Sequence, residues 1–206
     1  MTGDDELQAL KHFKKADPVL YGIAKRYKGT VGSRIKPKRG EDALFAALAS
    51  SVVSQQLSTK AARTIWLRLE EVCAGKVTPD SIHAASLERM RSAGLSAAKA
   101  KTLKELSTAV RAGLDLPSLR KVPEEEAIQK LTAVWGIGIW TAEMFLIFAL
   151  GRKDVFSPGD LGLVRAMEDL YKIPPKSHKN VFVEQAAYWS PYRSYACLVL
   201  WRYRDD

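Results

Sequence analysis

The chain has 206 residues, room for one well-buried domain or two small lobes sharing an interface, and too few for a large modular enzyme. With 47% hydrophobic and 27% charged residues it suits a soluble globular protein, and 32 Lys and Arg against 23 Asp and Glu give a net charge of +9, which favours a polyanionic partner. No apolar run approaches the roughly 18 to 20 residues that cross a bilayer, the opening Met1-Thr2-Gly3-Asp4-Asp5-Glu6 is acidic where a signal peptide is basic, and two cysteines cannot build a four-cysteine zinc or iron–sulfur site.

Helical punctuation runs along nearly the whole chain. Asp17-Pro18 reads as an N-cap followed by proline in the first helical position, opening a segment that ends near Lys28-Gly29. Residues 30 to 40 form a basic connector containing Lys36, Lys38 and Arg39. From Glu41 to Gln56 the apolar residues Leu44, Phe45, Leu48, Val52 and Val53 fall at helical spacing and predict a core helix. Ser58 caps a second helix through Cys73, closed by Gly75, and Thr78-Pro79 and Ser86 open two short helices, the latter ending at Gly94. Ser96 caps a segment to about Ala112, with Gly113 as its stop and Lys99 and Lys101 in its first turns.

Pro123 opens a helix from Glu124 to Thr132, whose three glutamates suit the positive end of its dipole. Trp140 to Leu150 follows as the second arm of a hairpin, stopped by Gly151. Asp160 stands where it caps the next helix through Tyr171, and Ser190-Pro191 caps the last, amphipathic helix through Tyr203. No long alternating apolar and polar run is present, so the fold is predicted to be all-α. Linkers divide it into one lobe over about 40–115 and a second formed by about 1–30 with 116–206. Cys73 and Cys197 read as buried thiols, and His12, His83 and His178 lack ligand spacing, so no side-chain metal site is expected.

The hairpin holds the residues with chemical potential. Gly136 and Gly138 lack Cβ atoms, so a sharp turn between the arms can bring backbone N–H groups to a phosphate, helped by the positive end of the following helix. By itself such a turn reads equally well as a tight helix connection. Taken singly, Asp160 reads as an N-cap worth roughly 1 kcal/mol, Trp140 as core packing, and Gln55 and Gln56 as residues that end a helix.

In combination these residues say more. Gly136-Ile137-Gly138-Ile139-Trp140-Thr141-Ala142, followed by Val155-Phe156-Ser157-Pro158-Gly159-Asp160, resembles the helix-hairpin-helix (HhH-GPD) DNA glycosylase superfamily, in particular its alkylation-repair branch of the 3-methyladenine DNA glycosylase II type. The resemblance covers most of the chain from about Asp42. It includes Ser54-Gln55-Gln56-Leu57-Ser58, the segment from Met90 to Ala100, and Trp189-Ser190-Pro191-Tyr192-Arg193-Ser194-Tyr195-Ala196. It implies one two-lobed helical domain over 1–206, with the helix-hairpin-helix at about 123–150 and a DNA-binding cleft between the lobes.

It also implies a reaction and its residues. The carboxylate of Asp160 would stabilise an oxocarbenium-like sugar and help orient water while an alkylated purine, already cationic, departs. Trp140 stands where superfamily members that also cut the backbone carry a lysine nucleophile, so the expected product is an abasic site without strand scission. Trp140, Trp189, Met144 and Leu161 would line the base pocket, Gln56 would fill the gap left by the extruded base, and Gly136, Gly138 and Thr141 would meet the DNA backbone. Lys36, Lys38, Arg39, Lys99 and Lys101 are candidate phosphate contacts.

No cofactor is required by this reading. A monovalent cation on the backbone carbonyls of Thr132, Val134 and Ile137 is a further implication of the resemblance. Trp135 departs from the pattern, standing where many relatives have proline, and Met144 and Leu161 replace aromatics, which suits a preference for the most labile cationic bases. Expected partners are double-stranded DNA carrying alkylated bases and no membrane; one damaged base needs one active site, so a monomer is expected. The expected location is the cytoplasm or nucleoid in a bacterium or archaeon and the nucleus in a eukaryote. The competing reading is a non-catalytic helix-hairpin-helix module that binds damaged or abasic DNA, which needs Gly136 and Gly138 but neither Asp160 nor Trp140.

Overall fold

The caps read from the sequence open half of the described α-helices. The computed structural model describes residues 3–206, and among them there is no β-strand, so the all-α expectation holds. No described helix is long and apolar enough to cross a membrane. The chain divides into two compact units: a central one, residues 38–145, and a terminal one built from the two ends, up to residue 37 and from 146 onward.

The central unit is organised around α3 (Glu41–Ser54), whose residues Leu44, Phe45, Leu48, Ala49, Val52 and Val53 are all buried. Helix α4 (Thr59–Val72) follows, with the Ser58 hydroxyl accepting from the Ala61 N–H. Short helices α5 (Pro79–Ala84) and α6 (Leu87–Ser92) are opened by Thr78 and Ser86, and α7 (Ala97–Arg111) by Ser96. Helix α5 packs along α7, where the buried Ser107 hydroxyl donates to the Pro79 carbonyl at 2.6 Å. A 3-10 turn at Pro117–Arg120 leads to α8 (Glu124–Thr132), the hairpin turn and α9 (Ile139–Met144), which passes into one turn of π-helix at Phe145–Ala149.

The terminal unit comprises α1 (Gly3–Ala16), α2 (Pro18–Ala24), α10 (Leu161–Tyr171), α11 (Lys179–Ala187) and α12 (Arg193–Asp205). Helix α12 is its spine, fully buried from Tyr195 to Leu200 and packed against α10 and α2. Two buried carboxylates tie the N-terminal helices to the C-terminal part of this unit. Glu6 accepts from the Tyr195 hydroxyl and the Gly29 N–H, both at 2.7 Å. Asp17 caps α2 through the Leu20 N–H at 2.9 Å and with its other oxygen accepts from Tyr171, Gln185 and Trp189. Burial, reinforced by these carboxylates, pushes the Tyr171 and Tyr195 hydroxyls far up, so both stay protonated donors.

Three expectations are corrected. The division of the chain falls at 145/146, not near 115, because α8 and α9 belong with the middle helices: α9 packs on α3, and the hairpin turn lies against α7. Ser190-Pro191 does not cap the last helix. Ser190 instead donates to Asp154 Oδ2 at 2.8 Å, and α12 begins at Arg193. Helix α11, with His178 at its N-cap, was not anticipated, since Val181 and Val183 are exposed and blur its apolar stripe. Cys73 and Cys197 are buried and form no disulfide, as read.

Candidate active site

In the terminal unit, a loop over residues 151–160 delivers Asp160 to the start of α10, and α12 stitches that loop in place. The Arg193 side chain donates to Asp154 Oδ1 and to the Asp154 carbonyl, each at 2.7 Å, while the Val155 N–H donates to the Ser194 hydroxyl at 3.0 Å. Burial pushes the Asp154 carboxyl up, but the hydrogen bonds and charge of Arg193 and Ser190 outweigh it and hold the group below its ordinary range.

Asp160 then caps α10, its Oδ1 accepting from the Leu163 N–H at 2.9 Å and from Trp201 Nε1 at 3.0 Å. Gly162 lets backbone and indole close around it: a Cβ there would lie 3.0 Å from Asp160 Oδ1 and 3.3 Å from the Trp201 ring. The indole is itself held by Phe148, with ring centroids 5.7 Å apart. Trp201 is the functional neighbour that sequence reasoning missed. Its only signal was general: an indole N–H is a donor that must find an acceptor when partly buried.

The central unit carries the hairpin. Gly136 is in the left-handed region at φ +86°, and a Cβ there would overlap the Thr102 side chain of α7. Backbone conformation and packing together therefore require glycine. Gly138 is different: its φ is −87° and a Cβ would meet nothing within 4 Å. Neither conformation nor space inside the protein calls for glycine at 138. The turn opens α9, whose first N–H groups lack intrahelical acceptors, and Trp135, Ile139 and Trp140 around it are 47%, 56% and 46% exposed. Lys101 reaches over the Trp135 ring, Nζ 4.3 Å from the centroid, so a cation–π contact accompanies this turn.

The loop between α3 and α4 presents Gln56. It is exposed and sits at φ +56°, a left-handed conformation that costs a non-glycine residue roughly 1–2 kcal/mol. Lys36, Lys38, Arg39 and Lys101 are exposed, as phosphate contacts require.

Other predicted site residues are placed differently. Trp189 is 0% exposed: its indole donates to Asp17 Oδ2 at 2.7 Å and packs against Phe156 and Tyr171, so it is a core residue and no base can stack on it here. Thr141 is buried, with its hydroxyl accepting from Gln55 Nε2 at 3.1 Å, so its side chain is turned inward. Lys99 is half-buried and donates to the carbonyls of Val53 and Gln55 at 2.8 and 2.7 Å, so it is not a phosphate contact either. Of the remaining pocket candidates, Met144 is buried on α9 one turn after Trp140, and Leu161 is 69% exposed beside Asp160.

A capped carboxylate and a two-glycine helical hairpin are separately common, and their order in one chain is the distinguishing feature. The family described as HhH-GPD superfamily base excision DNA repair protein matches residues 49–191, a span holding the Gln56 loop, the hairpin and Asp160. DNA-3-methyladenine glycosylase 1 of Schizosaccharomyces pombe is 31% identical over 208 residues, covering 97% of this chain and 91% of that protein. Among solved structures, a DNA-3-methyladenine glycosidase from Bacillus halodurans superposes with a TM-score of 0.84 at 35% identity, covering 97% of this chain and 88% of that one. The Schizosaccharomyces pombe 3-methyladenine DNA glycosylase in complex with abasic DNA has a TM-score of 0.75 at 31% identity, covering 95% of each chain. The family match thus spans the Gln56 loop, the hairpin and Asp160, and the chain belongs to the HhH-GPD superfamily of base excision DNA repair proteins.

Proposed function

We propose that this enzyme is a monofunctional DNA N-glycosylase that extrudes alkylated purines, 3-methyladenine and 7-methylguanine among them, from duplex DNA and hydrolyses their bond to deoxyribose. The observation that carries the reading is the Asp160 carboxylate, fixed by the Leu163 N–H and the Trp201 indole at a helix start. Such a group suits a developing oxocarbenium ion, because it is positioned before the reaction and needs no reorganisation during it. The bond from C1′ to the purine nitrogen breaks, the electron pair neutralises the cationic base, and water adds to C1′ and gives up a proton, assisted by the carboxylate. Little protonation of the leaving base is required, which is why one acid suffices.

The other residues take supporting roles. Exposed Trp140 offers an electron-rich face to a cationic purine. Gln56, held in its left-handed conformation at a loop tip, fills the gap in the duplex. The hairpin takes a phosphate at Gly136 and Gly138, the open space over Gly138 leaving room for it. Tryptophan at 140 cannot form a Schiff base, so strand scission is not part of the reaction. The carbonyls of Thr132, Val134 and Ile137 are neutral hard oxygens, a donor set that suits a monovalent cation; the Val134 carbonyl already accepts the Ile137 N–H at 3.1 Å and keeps a second lone pair.

The test is release of base from methylated duplex DNA, with hypoxanthine and ethenoadenine substrates alongside and borohydride trapping on abasic DNA as a lyase control. Release of 3-methyladenine or 7-methylguanine without a trapped adduct is expected. Salt-dependent binding to abasic duplex with no release from any alkylated substrate would show a binding module instead.

A further inference from the structure

The ammonium of Lys99 and the hydroxyl of Thr141 both turn towards the loop that carries Gln56. Lys99 lies in the first turn of α7, and its two carbonyl partners, Val53 at 2.8 Å and Gln55 at 2.7 Å, are at the C-terminal end of α3, where helical carbonyls lack partners. A cation at that end also meets the negative pole of the helix dipole. Gln55 is held a second time, since its Nε2 donates to Thr141 Oγ1 on α9 at 3.1 Å. The residue fixed at both its carbonyl and its amide is immediately followed by Gln56 at φ +56°.

Helix α7 touches the hairpin as well. Thr102, one turn beyond Lys99 and on the same face, packs where a Cβ of Gly136 would fall. One helix therefore bears on the loop tip with Lys99 and on the hairpin turn with Thr102, and Gln55 closes the third side to α9. Ordering a lysine side chain costs entropy, and desolvation lowers the Lys99 pKa. Both penalties are accepted for backbone carbonyls, with no carboxylate among the hydrogen-bond partners.

We propose that Lys99, Gln55 and Thr141 form an anchor that sets Gln56 in fixed register with the hairpin turn, so that the group filling the duplex gap and the group gripping the backbone move as one. Lys99 is a positioning residue here, not a DNA contact. This rests on the reading of Gln56 as the gap-filling residue.

The experiment is a double-mutant cycle on the full chain, reading single-turnover base release from methylated duplex, affinity for undamaged duplex, and melting temperature. Gln56→Ala and Lys99→Met should each slow release about tenfold, as displacement of a positioned group by a fraction of an ångström does. The double variant should be no slower than either single one, because both remove the same function. Lys99→Arg, which keeps a cationic donor, should recover most of the rate, and affinity for undamaged duplex should change by less than about threefold in every case. Thr141→Val keeps the shape, removes the acceptor, and enters the same cycle independently of Lys99. Wild-type release by Gln56→Ala would remove the gap-filling reading itself. Slow release by Gln56→Ala with wild-type release by Lys99→Met and Thr141→Val would overturn the anchor alone. Additive losses, or a Lys99→Met loss seen mainly as weaker, less salt-dependent binding, would return Lys99 to the phosphate contacts.

Discussion

Asp160 serves as helix cap and as proposed catalytic carboxylate, and substitution can separate the two roles. Two hydrogen bonds converge on Oδ1, from the Leu163 N–H at 2.9 Å and the Trp201 indole at 3.0 Å. Asparagine retains an oxygen that can take those bonds and ranks with aspartate as a cap. Asp160→Asn therefore keeps the cap and loses its charge–dipole contribution, under about 1 kcal/mol, a fall in Tm of roughly 2–4 °C for a chain of this size. Asp160→Ala also leaves the indole and the Leu163 N–H without this acceptor, at a cost of about 2–4 kcal/mol.

Activity should not follow that order. Removing a preorganised charge at a cationic transition state costs about 10²–10³ in rate, or roughly 3–4 kcal/mol, and both variants lose it equally. The assay is single-turnover release of 7-methylguanine from methylated duplex beside thermal melting of the three proteins. Two stable proteins, wild type and Asp160→Asn, with only one active is the expected pattern. Release by Asp160→Asn at the wild-type rate would refute the catalytic assignment, and a melting point as low as that of Asp160→Ala would refute the separation of roles.

The hairpin glycines should divide in the same manner. Gly136→Ala forces an L residue to φ +86° and into Thr102, so it should lower Tm, whereas Gly138→Ala should melt like wild type yet bind duplex DNA more weakly in a fluorescence titration. Asp17→Asn places an amide NH2 against the Tyr171, Gln185 and Trp189 donors or abandons the α2 cap, and thermal melting should show a loss of about 3 kcal/mol. The depressed Asp154 pKa stabilises the fold above the unfolded-state value of about 3.9 and that contribution disappears as pH falls through the folded-state value. Tm measured between neutral and acidic pH should accordingly drop at the acid end, less steeply in Asp154→Asn.

What the sequence made legible was mostly local. Asp17, Ser58, Thr78, Ser86, Ser96 and Asp160 all cap the helices predicted for them, because a cap is decided within three residues by one side-chain oxygen and one N–H. The misplacements all depend on partners far along the chain. Trp189 is drawn into the core by Asp17, Thr141 is occupied by Gln55, and Lys99 is turned inward by the end of α3. No spacing rule announces a partner at such distance, and a tryptophan beside a Ser-Pro step looks the same whether it faces a ligand or the interior.

The corrected residues and the retained ones differ in a physical way. Trp189, Thr141 and Lys99 are explained by the fold: each satisfies a buried or half-buried partner. Gly138, Gln56 and Trp140 are what the fold alone does not explain. Gly138 has the dihedral angles and the room to be any small residue, Gln56 bears a backbone conformation better suited to glycine, and Trp140 leaves 46% of a large apolar side chain exposed. Natural sequences depart from local consistency chiefly where function demands it, and these three departures cluster on the hairpin and the loop that Gln55 ties to it. Asp160 belongs to both groups, which is why a capping rule could locate it and only the company of the hairpin could give it chemistry.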